Sequence, residues 1–200
     1  MMNRYPAQSS RKLFTLITIA LFGTISMVLM LLNFPLPLLP QYLKVDFSDV
    51  PALLAGIMFT PAAGILVEAL KNGLYFIYTG AGDPVGVVAN FAAGLLFILP
   101  VTMIYHKFKS VKSLVSGLVT SSLIMAFGMG VLNYFVILPA YSWFMGWETM
   151  SAQVKWITVV AGILPFNALK GIIVSALFTL LFVRMKPWIE QKSPRSSSAA

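Results

Sequence analysis

The sequence predicts an all-α integral membrane protein: a bundle of six transmembrane helices with a re-entrant first extracellular loop and both termini in the cytoplasm. Three observations carry that reading. The 200-residue chain is 58% hydrophobic and only 10% charged, with a mean hydropathy of +0.87, where a soluble domain carries about 25% charged residues. Its apolar residues gather into segments of about 20 or more, the length that crosses a hydrocarbon layer of ~30 Å. Its basic residues collect in alternate connecting segments, which orients the spans by the positive-inside rule. The same distribution accounts for the net charge of +8 as a mark of the cytoplasmic face of a cell membrane protein rather than of nucleic-acid binding. The sequence has no cysteine, which excludes disulfides and thiolate metal sites.

Residues 1–12, with Arg4, Arg11 and Lys12, read as a cytoplasmic N-terminal tail. They resemble the n-region of a signal peptide. The apolar run from Leu13 to Leu32 is nevertheless longer than an h-region, and no A-x-A-like site follows it, so Leu13–Asn33 is expected to be a retained first helix. Within it Ala20, Gly23, Thr24 and Met27 form a stripe of small to medium residues at i, i+3, i+4 and i+7. Such a stripe lets helices approach closely in lipid, either inside this bundle or against a partner membrane protein.

The next stretch, Phe34–Asp49, is neither helix nor ordinary polar loop. Pro35, Pro37 and Pro40 block a helix, and Leu36, Leu38, Leu39, Tyr42, Leu43 and Phe47 keep it apolar around Gln41, Lys44, Asp46 and Asp49. Val50–Gly80 follows, broken by Pro61 and Gly64. Both its flanks belong outside, so it crosses twice or not at all; two crossings give six helices, with the inner turn at Thr60–Pro61. Pro51–Thr60 then has only ten residues, ~15 Å of helix, about half the hydrocarbon core. Either this helix is strongly tilted or the preceding loop dips into the membrane to meet it. Irregular backbone at that depth is tolerated only when buried in protein or lining a cavity, so Phe34–Asp49 is expected to cover the bundle interior and close a ligand site.

Three more spans complete the count. Asp83 caps a helix opening at Pro84 and running to Tyr105; Leu114–Leu138 is the fifth span and Trp156–Val183 the last. His106, Lys107, Lys109 and Lys112 link the fourth and fifth, and Arg184, Lys186, Lys192 and Arg195 follow the sixth. The membrane domain is therefore 13–186, with 187–200 a flexible cytoplasmic tail. Pro165 suits either the first turn of the last helix or a kink in a longer one.

Polar residues inside these spans are the candidate site, because ionisable groups in a bilayer are costly and rarely idle. Lys170 stands among Phe166, Leu169, Ile172 and Ile173 with no acid at helical spacing, and Asn167 shares its face. Asn133 lies near the outer end of the fifth helix and Asn90 about two turns into the fourth. Glu68 and Lys71, three apart, form either a self-contained ion pair or part of the site. Asparagine amides set donors and acceptors side by side, which suits a planar ligand with alternating N–H and C=O groups, such as a pyrimidinedione edge. Gly128 and Gly130 allow either a flat ring or a neighbouring helix to come close. No P-loop, H-E-x-x-H or nucleophile–base–acid set is present, so no catalytic or metal-ligating residues are expected.

The stretches FPLPLLPQYLKVDFSDVPALLAG at 34–56, EALKNGLY at 68–75, GDPVGVVANFAAG at 82–94, LNYFVILP at 132–139 and PFNALKG at 165–171 together resemble the riboflavin-specific substrate-capture (S) components of energy-coupling factor (ECF) vitamin transporters. The resemblance covers residues 11–188. It implies six helices, capture of riboflavin from outside, and a first loop that covers the site. It also implies docking to a transmembrane coupling subunit and two ABC-type ATPases, which would hydrolyse the ATP. Carried over, the polar contacts are Asn133, Asn167 and Lys170, the loop contacts Leu38, Leu39 and Tyr42, and the further candidates Asn90 and Asp83. Riboflavin is cargo; no cofactor is implied. The family's first helix often carries A-x-x-x-A, which Ala20, Gly23 and Thr24 match approximately as the partner-docking face. An S component preferring flavin mononucleotide or another vitamin, a stand-alone permease and a ligand-free assembly protein are the alternatives.

Overall fold

The computed structural model describes residues 5–40 and 42–192. Among them are six helices and one small hairpin. Helix α1 is Tyr5–Leu31. Strands β1 (Phe34–Pro35) and β2 (Lys44–Val45) pair antiparallel, Phe34 opposite Val45. Helices α2 (Asp49–Met58), α3 (Pro61–Tyr78) and α4 (Pro84–Phe108) follow. Helix α5 starts as Val111–Leu132, passes through a π-helical turn at Asn133–Ile137 and continues as Leu138–Met145. Helix α6 repeats the pattern: Ala152–Thr158, a π turn at Val159–Ile163, then Leu164–Lys192. The helical ends extend past the expected 13–186 boundaries. The parts of the two tails at 1–4 and 193–200, like Gln41, lie outside the described residues.

The break inside Val50–Gly80 falls where expected. Thr60 accepts a hydrogen bond from the Ala63 N–H at 3.2 Å, and Pro61 occupies the first turn. Every residue of α2 is buried. A ten-residue helix cannot span the membrane alone, and it forms here because α1, α3, α4 and α6 wrap it. Gly56 and Gly64 bring α2 and α3 together: a Cβ on Gly64 would lie 3.4 Å from the Gly56 Cα. A Cβ on Gly64 would lie 2.9 Å from the Ile98 side chain and 3.1 Å from the Ala52 carbonyl. Gly64→Val should therefore destabilise the bundle by about 1–3 kcal/mol through overpacking, read as a lower thermal unfolding midpoint in detergent. His106 lies in the last turn of α4, not in a free loop, and its Nε2 is 2.7 Å from the Gly56 carbonyl, serving the C-terminal end of α2.

Among the described residues four helical segments are long and apolar enough to cross a membrane: Lys12–Leu31, Pro84–Phe108, Val111–Met145 and Ala152–Met185. Leu16, Phe135, Ile172 and Leu180 of these segments and Ile77 of α3 stay exposed on the outside of the bundle, while the interior holds Phe97, Phe178 and Phe182 together with Lys71 and Glu68. Apolar outside with charges inside is the partition lipid demands. The chain is a multi-pass membrane protein.

Two expectations need refining. Pro165 does open an α-helical stretch at Leu164, but the chain is already helical from Ala152. Neither Pro139 nor Pro165 can donate to a carbonyl four residues back, and in each case a π turn ends two residues before the proline and takes up the mismatch. The stripe on α1 also divides. Gly23 is buried, with a virtual Cβ 2.9 Å from Leu70 on α3, whereas Ala20 and Thr24 face outward. The face that packs inward runs through Ile19, Gly23, Ser26 and Met30.

Candidate ligand-binding site

A cavity of about 360 Å³ lies between the hairpin loop, the start of α4 and the stretches of α5 and α6 around their π turns. Tyr42, Leu43, Lys44 and Asp46 of the loop form one wall. Asp83, Gly86 and Asn90 come from the start of α4. Asn133, Ile137 and Tyr141 come from the π turn of α5 and the helix beyond it, and Ile163, Phe166, Asn167 and Lys170 from α6. Asn133, Asn167, Lys170, Asn90, Asp83 and Tyr42, separated widely in sequence, thus meet at one place. Leu38 and Leu39 do not line it: Leu38 is fully exposed, with a left-handed φ of 67°. Leu43, not expected from the sequence, takes their part beside Tyr42, and the loop seats against Gly162, whose virtual Cβ is 3.4 Å from Pro40 and 4.0 Å from Leu43. Gly128 and Gly130 serve helix packing, against Leu96 and Val159.

The two key asparagines are held alike. Asn133 donates from Nδ2 to the Met129 carbonyl at 2.8 Å, and Asn167 to the Ile163 carbonyl at 2.8 Å. Each keeps its side-chain oxygen as an acceptor and its second N–H as a donor. At the mouth, Tyr141 stacks on Trp147 with centroids 4.4 Å apart, and Tyr42 meets Trp147 edge-on at 6.1 Å. The Tyr141 hydroxyl donates to Asp83 Oδ2 at 3.0 Å, and Asp83 Oδ1 accepts the Gly86 N–H at 2.7 Å.

Beneath the cavity lies a buried charge network. Lys71 is tightly held, 2.7 Å from Asp49 Oδ1 and 2.8 Å from the Glu68 carboxylate. Gly94 leaves room for that carboxylate, since a Cβ there would overlap it. Asn72 donates to the Glu68 carbonyl at 2.9 Å and to its Oε2 at 3.3 Å, and Asn90 donates to Asn72 Oδ1 at 3.0 Å. Glu68 and Lys71 are therefore not self-contained; they share Asp49 with Lys170. The Lys170 ammonium is held loosely by comparison, 3.4 Å from Asn90 Oδ1, 3.4 Å from Asp49 Oδ2 and 3.7 Å from Asp46 Oδ2. Its counter-charges sit more than a hundred positions away, where helical spacing gives no sign of them. A lone intramembrane cation with no acid at helical spacing was the available signal, because such a charge must be paired.

A sequence model of the family described as "ECF transporter, substrate-specific component" matches residues 14–182. The chain belongs to that family. It is 51% identical over 179 residues to the riboflavin transporter FmnP of Bacillus subtilis (strain 168), covering 88% of this chain and 94% of that protein. It is 43% identical over 176 residues to the riboflavin transporter RibU of Staphylococcus aureus (strain TCH60), covering 88% and 92%. A solved S component of a bacterial ECF transporter superposes with a TM-score of 0.76 at 42% identity, over 91% of this chain and 98% of that one. ThiT from Listeria monocytogenes, at 19% identity and a TM-score of 0.57, shares the fold. The six helices, the short buried α2 and the loop-covered cavity are thus the frame of an ECF S component.

Proposed function

We propose that this S component captures riboflavin from the extracellular side and passes it across the cell membrane as part of an ATP-driven ECF transporter. The observation that carries the reading is the convergence of Asn133, Asn167 and Lys170 on one cavity roofed by an apolar loop. The names of the relatives supply the ligand. A cavity of about 360 Å³ falls within the ~300–1,000 Å³ of small-molecule sites. The asparagine amides and the Lys170 ammonium match the alternating polar edge of a flavin. Each neutral hydrogen bond contributes only ~0.5–1.5 kcal/mol, so tight binding also needs burial of the ring against Ile137, Ile163 and Phe166. Lys44 lies at the rim, but Asp46 and Asp83 line the same cavity, which suits uncharged riboflavin better than its phosphate.

Tyr42 and Leu43 replace Leu38 and Leu39 as the loop contacts in this reading, and Asn90 and Asp83 act from the wall. Both termini lie in the cytoplasm, following the basic residues. A transmembrane coupling subunit and two ABC-type ATPases supply the energy, the chain itself hydrolysing nothing. Ala20 and Thr24, outward on α1, form the docking face; Gly23 serves internal packing. Quenching of riboflavin fluorescence by the purified protein tests the ligand assignment. Asn133→Ala and Asn167→Ala should each weaken binding about five- to tenfold, the loss of one hydrogen bond. Absence of quenching, with no yellow chromophore co-purifying, would end the riboflavin reading. Uptake into vesicles by this chain alone would instead favour a stand-alone permease.

A further inference from the structure

The hairpin that roofs the cavity is short, only two residues per strand, and a hairpin of that size has little stability of its own. Two carboxylates anchor its far end. Asp46 follows β2 and Asp49 opens α2, and both are buried. Asp46 Oδ1 accepts the Ser48 N–H at 2.8 Å. Its Oδ2 faces Lys170 at 3.7 Å. Asp49 divides its oxygens, Oδ1 to Lys71 at 2.7 Å and Oδ2 toward Lys170 at 3.4 Å, and Oδ2 has no hydrogen bond among the described residues. The loop end is thus joined to α3 by one tight pair and to α6 by two loose ones. The loose pairs share one ammonium, which also lines the cavity.

We propose that Asp46 and Asp49 are positioning residues for Lys170: they hold its ammonium at the cavity floor, and through it the junction of β2 and α2 is fixed to α6. The cation that meets the ligand and the cation that fastens the loop are one group. Pulling Lys170 away loosens the loop, and lifting the junction releases Lys170 from its place. The spacing supports this: at 3.4–3.7 Å the ammonium keeps donor capacity that the closely bonded Lys71 has used. The proposal rests on the riboflavin reading only for its kinetic arm.

The cysteine-free sequence makes spin labelling clean. Labels at Leu38→Cys in the loop and Phe108→Cys at the other end of α4, both exposed and away from the cavity, report the loop position without any ligand. The parent should give one narrow distance distribution. Asp46→Asn keeps an oxygen for the Ser48 N–H and removes only the charge, and it should broaden the distribution. Lys170→Gln, a change on α6 that leaves the loop sequence intact, should broaden it likewise, and the double variant no further than Lys170→Gln alone. In the second arm, riboflavin dissociation should quicken about tenfold in Asp46→Asn, the scale of a lost charge-assisted contact, with no added effect in the Lys170→Gln background. A parental distribution in Lys170→Gln, or additive broadening in the double variant, overturns the proposal. A chain that binds no riboflavin yet shows the linked broadening would support the positioning role and defeat the ligand assignment.

Discussion

Lys71→Met should be the most damaging single change in the bundle, costing about 3–5 kcal/mol, the penalty for stripping one partner from a buried ion pair. Lys71 is fully buried, as are Glu68 and Asp49 at 0% and 1% exposure. The network as a whole holds three acids, Asp46, Asp49 and Glu68, and two bases, Lys71 and Lys170. Removing Lys71 leaves three carboxylates to a single ammonium in a medium that solvates charge poorly. Glu68→Gln moves the count the other way, to two acids and two bases, and Gln still accepts from Lys71 and Asn72. The expected result is a large fall in the thermal unfolding midpoint for Lys71→Met, about 10 °C or more, and a small change for Glu68→Gln. Equal effects would mean that packing around the side chains, not their charge, sets stability here.

The contrast shows which parts of the molecule a sequence reader can reach. The Thr60–Pro61 break and the Asp83–Pro84 helix start are local devices, each written in two adjacent residues, and both appear where they are expected. The expectation that the first loop packs against the bundle came from one length, the ten residues of Pro51–Thr60, and Val45, Asp46 and Ser48 are buried in the protein. The convergence of Asn133, Asn167 and Lys170 followed from counting residues inward from charged ends, because a membrane fixes depth in a way that water does not.

What escaped was lateral. Depth says nothing about azimuth, so the partners of Lys170 could not be named, and Asp46 and Asp49 read as ordinary polar residues of an outer loop. Leu38 and Leu39 look equivalent to Leu43 by composition. A left-handed φ at Leu38 turns the chain there, and no preference of leucine announces it. The π turns escaped for a related reason. Pro139 and Pro165 signal that the hydrogen-bond ladder must adjust, but whether by a start, a kink or an inserted residue depends on neighbouring helices.

Lys170→Ala should then be the change that most weakens riboflavin binding, by about a hundredfold, with much less effect on folding. One part of the loss is direct: a hydrogen bond from a charged donor contributes ~1.5–3 kcal/mol, a factor of about ten to a hundred. The rest comes from what the ammonium leaves behind. Asp46 Oδ2 and Asp49 Oδ2, now 3.7 and 3.4 Å from it, would lose their shared counter-charge, and Asp46 lines the cavity a neutral flavin must enter. Folding is better protected, because Asp49 keeps its 2.7 Å contact with Lys71 and Asp46 keeps the Ser48 N–H. Fluorescence quenching and thermal unfolding on the same preparation separate the two effects. Binding within about threefold of the parent, less than a typical hydrogen bond to a charged group contributes, would remove Lys170 from the site and leave its buried charge as a purely structural tie between α6 and the loop.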